Sequence, residues 1–224
     1  MKIRFRHLPD GRMFVPSRGQ PPEPPPGYVR DPRNKYMFRP VSAITNEETS
    51  MRELYQHLYD DRMLCYGSAK HNRCPGVKFY KFYKNALKGK IIDLGCGRGD
   101  TVHMLWAEGY DAAGIDQVDL DNGMTVGDIT EPLDLSSYDT SLCIDVFEHL
   151  EDEALAKVLV NMAATKTQII SVHTGRAFEI GCKTDLHPNK KTFAEWDRFI
   201  SAYLTITRFY EIGKRRGIYF CTSE

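Results

Sequence analysis

A chain of 224 residues, 42% of them hydrophobic, suits one sizeable folded core with an appendage. No apolar run approaches the roughly 20 residues of a membrane span, and the charged start "MKIRFRHLPDGR" lacks the apolar stretch of a signal peptide, so an intracellular, cytoplasmic protein is expected. The net charge is zero but uneven: residues 1–90 hold 18 Lys and Arg against 8 Asp and Glu, and residues 91–224 hold 12 against 22. Such asymmetry marks either a polyanion-binding arm or a basic segment that accompanies an acidic domain.

Residues 1–45 read as a Pro-rich basic arm. "KIRFRHLPDGRMFVP" suits a small hairpin turning at "PDG". The proline cluster in "PSRGQPPEPPPGYVRDP" cannot continue a helix or a central strand and should be extended. Residues 46–89 read as a helical cap or lid. Asn46 is placed to cap a helix through "EETSMRELYQHLYDD", with Met51, Leu54, Tyr55 and Leu58 at helical spacing. "GVKFYKFYKNALKG" is read as a helix with an apolar face, snorkelling lysines and Gly89 as its C-cap, in preference to a basic-aromatic nucleic-acid stripe.

From Lys90 onward strands and helices alternate. "KIIDLG", "DAAGID", "MTVGDI", "YDTSLCIDVF" and "TQIISVH" read as strands. "GDTVHMLWAEGY", "EDEALAKVLVNMAAT" and "TFAEWDRFISAY" read as helices, and the end reads as two strands joined through "GKRRG". Alternation of this kind predicts an α/β domain over residues 90–224, built on a parallel sheet.

The six cysteines, Cys65, Cys74, Cys96, Cys143, Cys182 and Cys221, form no C-x-x-C pair and read as free buried thiols. Cys65, His71 and Cys74, with His57, match no common zinc spacing.

The glycine loop "IIDLGCGRGD" carries the chemistry. It is not G-x-G-x-x-G and it lacks the Lys of a phosphate-binding loop. Asp100 in the first helical turn would compete with a pyrophosphate, and Asp93 also faces the ligand. Acid around such a loop suits a positively charged ligand without phosphate, as S-adenosylmethionine is. Asp93 can support its amino-acid end. Asp116 can accept both ribose hydroxyls, Asp128 can accept from the adenine amine, and Ile129 can pack on the ring.

"IIDLGCGRGD", "GID", "VGDI" and "YDTSLCIDVFEHLEDE" resemble the successive motifs of class I S-adenosylmethionine-dependent methyltransferases, in their small-molecule-type branch, over about residues 76–224. The resemblance implies a Rossmann-like, seven-stranded, mostly parallel sheet with the last strand antiparallel and helices on both faces. It implies S-adenosyl-L-methionine as cofactor. It places cofactor contacts at Asp93, Gly95, Cys96, Gly97, Gly99, Asp116, Gln117, Asp128, Ile129, Asp145 and Val146. Residues 1–75 match no such motif. The segment before the first strand of this family often covers the cofactor, so the arm and the Tyr66–His71 loop are expected to close over it.

The acceptor is less legible. The Asn/Asp-Pro-Pro-aromatic motif of amino-directed DNA methyltransferases is absent, and so is the Pro-Cys nucleophile of the cytosine-C5 enzymes. Candidate bases are His149 after the fourth strand, His173 at the end of the fifth, and His187 in the long loop before the last helix. No metal is assigned as required. Still, Asp145, Glu148 and His149 form a D-x-x-E-H cluster that resembles the E-x-x-E-H metal set of small-RNA 3′-terminal 2′-O-methyltransferases, and also the ubiquinone-pathway O-methyltransferases, with Asp145 in place of Glu. His187 or His173 would complete such a set. Three functions are thus open: methyl transfer to an oxygen or nitrogen of a small-molecule or nucleotide acceptor; methyl transfer to RNA or DNA held by the basic residues; and a non-catalytic cofactor-binding scaffold. A membrane partner is not expected, and oligomeric state is not legible.

Overall fold

Short β-branched and aromatic runs form the strands of two sheets. The computed structural model describes residues 6–7, 13–14, 28–31, 34–40, 51–60, 66–175 and 186–223. The chain divides into two compact units, Met1–Leu54 with Ala177–Leu186, and Tyr55–Arg176 with His187–Glu224.

In the first unit, β1 (Arg6–His7) pairs antiparallel with β2 (Met13–Phe14), so the expected hairpin is formed, although its turn lies outside the described residues. A second hairpin was not foreseen: β3 (Tyr28–Asp31) pairs with β4 (Asn34–Pro40), and β4 also pairs with β2, giving the order β1-β2-β4-β3. Val29, Tyr36 and Phe38 suit a pleated ladder, a signal the neighbouring prolines obscured. The proline cluster and Asn46 lie outside the described residues.

The second unit starts within α1 (Met51–Asp60), where Tyr55 and Leu58 are buried. Helix α2 (Pro75–Tyr83) opens with Pro75 in its first turn, where a missing N–H costs nothing. Phe79, Tyr83 and Leu87 are buried, whereas Lys78, Lys81, Lys84 and Lys88 are exposed, as expected of an apolar face with solvated lysines. The expected C-cap is corrected. The α-helix stops at Tyr83, continues as a 3-10 turn over Lys84–Ala86, and Gly89 instead sits against Asp139, where a Cβ would lie 1.9 Å from Oδ2.

The strands β5 (Ile91–Leu94), β6 (Ala112–Asp116), β7 (Thr125–Val126), β8 (Thr140–Ile144), β9 (Thr167–His173), β10 (Thr205–Ile212) and β11 (Arg216–Thr222) form one sheet in the order β10-β11-β9-β8-β5-β6-β7. β5 to β9 run parallel, and the last strand, β11, is antiparallel to both its neighbours. The connecting helices are α3 (Asp100–Ala107), α4 (Asp152–Met162) and α5 (Phe193–Ser201).

Strand pleating assigns neighbouring residues to opposite faces. Ile92, Cys143, Ile170 and Tyr219 join one core with Leu155, Leu159 and Trp196 of α4 and α5. Ile91, Leu142, Ile169 and Ile218 join the other with Phe79, Tyr83, Val102 and Leu105 of α2 and α3. Burial on both faces explains why these strands read as continuous apolar runs. Cys74, Cys96, Cys143 and Cys221 are free and buried, while Cys65 and Cys182 lie outside the described residues. No described helix is long and apolar enough to cross a membrane. The chain leaves β5 for β6 and β7 on one side and for β8 and β9 on the other. This reversal marks the carboxyl ends of β5 and β8 as the place where open α/β sheets bind ligands.

Candidate functional site

The glycine loop bridges β5 and α3. Gly95 has φ 78°, and a Cβ there would come within 2.6 Å of Val146 Cγ2, so only glycine lets this turn pass the end of β8. Gly97 has φ 53°, and its Cβ would fall 2.6 Å from the Tyr59 hydroxyl. Gly99 precedes α3 as its N-cap in the left-handed region, and the Gly95 and Cys96 N–H groups both donate to the Ile115 carbonyl.

Asp116 braces this loop. Its two carboxylate oxygens accept from Gly97 N–H at 2.8 Å and from Val118 N–H at 3.0 Å. A carboxylate has about four acceptor positions, so these bonds leave capacity for ligand hydroxyls. Asp93 is buried one strand away, and burial together with the charge of Asp116 pushes its carboxyl up to about 7. Burial likewise raises Asp116, against the pull of its backbone donors. Gln117 and Asp128 are exposed; Asp128 accepts from the backbone and hydroxyl of Thr130, both at 2.8 Å. Ile129 is buried in the α4–α5 core. Asp100 has a partner the sequence did not reveal, the Ala69 N–H, so it ties down the Tyr66–His71 loop. Arg98 acts alongside, donating to the main-chain carbonyls of Tyr59 and Tyr66.

At the end of β8, Asp145 takes a left-handed φ of 55°. Its carboxylate accepts from the Ser171 hydroxyl at 2.6 Å and pairs with Arg216 at 2.6 Å. A 3-10 turn over Phe147–His149 then sends Phe147 into the core and buries Glu148. Glu148 Oε2 has no hydrogen-bond partner among the described residues, and burial, then Asp145, pushes its carboxyl well above the usual range while Arg216 pulls the other way.

All three candidate histidines meet here. The His149 and His187 rings lie 4.5 Å apart, edge to face, and those of His173 and His187 lie 5.4 Å apart. The long loop reaches the site because Asn189 anchors it: its N–H donates to the Glu148 carbonyl, and its amide donates to Leu150 O and Asp152. Gly175 sets the tautomers. Its N–H donates to His173 Nδ1 at 3.2 Å, and its carbonyl accepts from His187 Nδ1 at 2.6 Å. A carbonyl oxygen only accepts, so His187 carries its proton on Nδ1 and, when neutral, its lone pair on Nε2; His173 is the reverse. Burial, then the charge of Arg216, lowers the His173 pKa and so favours the neutral ring.

Glu148, His149 and His187 each offer one ligand atom, all within 4.8 Å of one another. Asp145, which the sequence pattern grouped with Glu148 and His149, is committed to Ser171 and Arg216, and His187 takes the third place. The residues the sequence reading missed are Tyr55, Tyr59, Ser171, Gly175 and Arg216. Gly175 and Ser171 lay beside a candidate base, in "SVHTG"; Tyr55 was read only as part of a helix face, and Tyr59 and Arg216 come from segments remote from the candidate bases.

No protein-family model matches the sequence, and no curated protein matches it. Solved structures do match. A TehB-like S-adenosylmethionine-dependent methyltransferase from Corynebacterium glutamicum is 17% identical, with 76% of this chain and 99% of that one covered at a TM-score of 0.57. Magnesium protoporphyrin IX methyltransferase from Synechocystis, solved with bound S-adenosylmethionine, is 15% identical, with 80% and 99% covered at 0.54. The methyltransferase domain of a bacterial Hen1 is 18% identical, with 66% and 95% covered at 0.53. The fold is that of class I S-adenosylmethionine-dependent methyltransferases.

Proposed function

We propose that this protein transfers a methyl group from S-adenosylmethionine to an oxygen or nitrogen of a small-molecule or nucleotide acceptor. The observation that carries the reading is the sequence of groups along one sheet edge: the braced glycine loop, Asp93 and Asp116 at β5 and β6, then Glu148 and three histidines beyond β8 and β9. Asp93 and Asp116 suit the ammonium and ribose of the cofactor, with Asp128 toward the adenine side. Asp145 and Val146 shape the turn that Gly95 passes.

Transfer breaks the methyl–sulfur bond and forms the bond to the acceptor atom, leaving neutral S-adenosylhomocysteine. The acceptor proton has to leave, and His187 Nε2 suits its removal because the Gly175 carbonyl holds the other ring proton. His173, whose Nδ1 accepts from the Gly175 N–H, has its own N–H on Nε2 to offer as the complementary donor. In the alternative, the same His187 Nε2 would join Glu148 and His149 in holding a divalent cation; His187 is then a ligand and not the base. The buried Glu148 Oε2, which has no hydrogen-bond partner among the described residues, would serve as carboxylate ligand once the cation displaces its proton. Such an ion, when bound, would polarise an acceptor hydroxyl.

Calorimetric titration with S-adenosylmethionine tests the reading. Wild type should bind, and Asp116→Ala should bind about 10- to 100-fold more weakly, the scale of lost charge-assisted hydrogen bonds. No binding by wild type would overturn the proposal.

A further inference from the structure

Three tyrosines cover the span between the glycine loop and the histidines. Tyr55 and Tyr59 lie one turn apart on α1, and Tyr66 follows shortly after. Their ring centroids are 6.4 Å (Tyr55–Tyr59), 6.1 Å (Tyr55–Tyr66) and 5.4 Å (Tyr59–Tyr66) apart. At one end the Tyr59 hydroxyl rests against Gly97. At the other the Tyr55 hydroxyl lies 2.6 Å from His149 Nδ1, and its ring meets that imidazole edge to face at 5.7 Å. Arg98, within the glycine loop, bonds the main chain of Tyr59 and Tyr66 and stands 5.7 Å from the Tyr59 ring centroid, so the trio is pinned to the loop.

A hydrophobic cap would use leucine or phenylalanine. These rings instead face a concentration of acid. Burial first, then the nearby carboxyl groups of Glu148, Asp145 and Asp116, push the Tyr66 phenol up. Aromatic faces in such surroundings attract cations, and cages of this kind hold methylated onium groups. A methyl donor held at Asp116 by its ribose, and aimed at the histidine cluster, would bring its sulfonium between the two ends of the trio.

We infer that Tyr55, Tyr59 and Tyr66 form an aromatic wall that recognises the positive charge of the sulfonium and so favours the methyl donor over its neutral product. The inference rests on the cofactor reading. It also supplies a reason for product release, since the attraction disappears once the methyl group has left.

Donor and product differ by one methyl group and one charge, so the ratio of their dissociation constants isolates the effect. Calorimetry should measure both ligands, and a donor analogue with an ammonium in place of the sulfonium, on wild type, Tyr59→Phe, Tyr59→Leu and Tyr66→Leu. The Phe variant keeps the ring face and should keep the wild-type preference. The Leu variants should lower the preference for both charged ligands by about 3- to 10-fold, with product affinity little changed. A melting curve for each variant identifies misfolded protein; Tyr66→Leu, outside any helix, gives the readout if Tyr59→Leu does not fold. Leu variants that weaken donor and product equally would overturn the inference while leaving the cofactor reading intact. Wild type that binds neither ligand would overturn both.

Discussion

The hydroxyl of Tyr55 lies 2.6 Å from Nδ1 of His149, a residue 94 positions later in the chain. Helix α1 thus reaches the end of β8. For His149 to present a lone pair on Nε2, Nδ1 has to carry the proton and donate it to the phenol oxygen. Tyr55→Phe removes that acceptor and keeps the ring. Turnover should fall about 10-fold or more with cofactor affinity retained, the usual effect of deleting a residue that orients a functional histidine. Unchanged turnover and an unchanged pH profile would show that the contact only packs.

Asp93 should leave a mark on stability. Its carboxyl, at about 7 in the folded chain, keeps a proton that the unfolded chain releases near its ordinary value of about 4. The folded state therefore binds more protons across this interval, and stability declines as pH rises from about 4 to about 7, then levels off. Melting temperatures from about pH 5 to about pH 8 should show that decline in wild type and a flatter profile in Asp93→Asn. Parallel profiles would place the proton elsewhere.

The same carboxyl is expected to meet the cofactor's ammonium as an anion. Donor affinity should then rise with pH through about 7, because deprotonation no longer has to accompany binding. Titrations on either side of neutrality check this, with Asp93→Asn as the pH-insensitive reference.

Gly175 has no room for a side chain. A Cβ there would lie 2.7 Å from Cε1 of His173 and 2.9 Å from Cδ of Arg215. Gly175→Ala should displace His173 and disturb the bond to His187, lowering turnover at least about 10-fold for a stability cost of about 1–2 kcal/mol. Paired activity and melting measurements separate the two effects.

The acid–histidine cluster makes its own prediction. Calorimetric titration with Mn²⁺ should show saturable binding that weakens at least about 10-fold in His187→Ala and in Glu148→Ala. Equal weak binding in all three proteins would leave His187 as a proton acceptor without an ion.

Much of the second unit was legible because local rules and tertiary demands agree there. Ile91 to Leu94, Leu142 and Cys143, and Ile169 to Val172 read as strands since both faces of a parallel strand are buried. The loop glycines were legible from their spacing, and the acids Asp93 and Asp116 from their places at strand ends. The helix end near Gly89 was misread because a glycine demanded by Asp139 resembles a helix cap. The β3–β4 hairpin was missed because prolines before it suggested extended chain.

The sequence by itself determined the α/β alternation, the glycine loop and the kinds of side chain at each strand end, because these follow from short-range periodicity and backbone conformation. Only the tertiary structure decided which of those side chains meet. It drew His187 to His149 through Asn189, turned Asp145 away to Arg216, gave Asp100 to the Ala69 N–H, and set three tyrosines between the loop and the histidines. Those pairings join residues far apart in the chain, and only the packing of the whole sheet brings such residues within hydrogen-bonding distance.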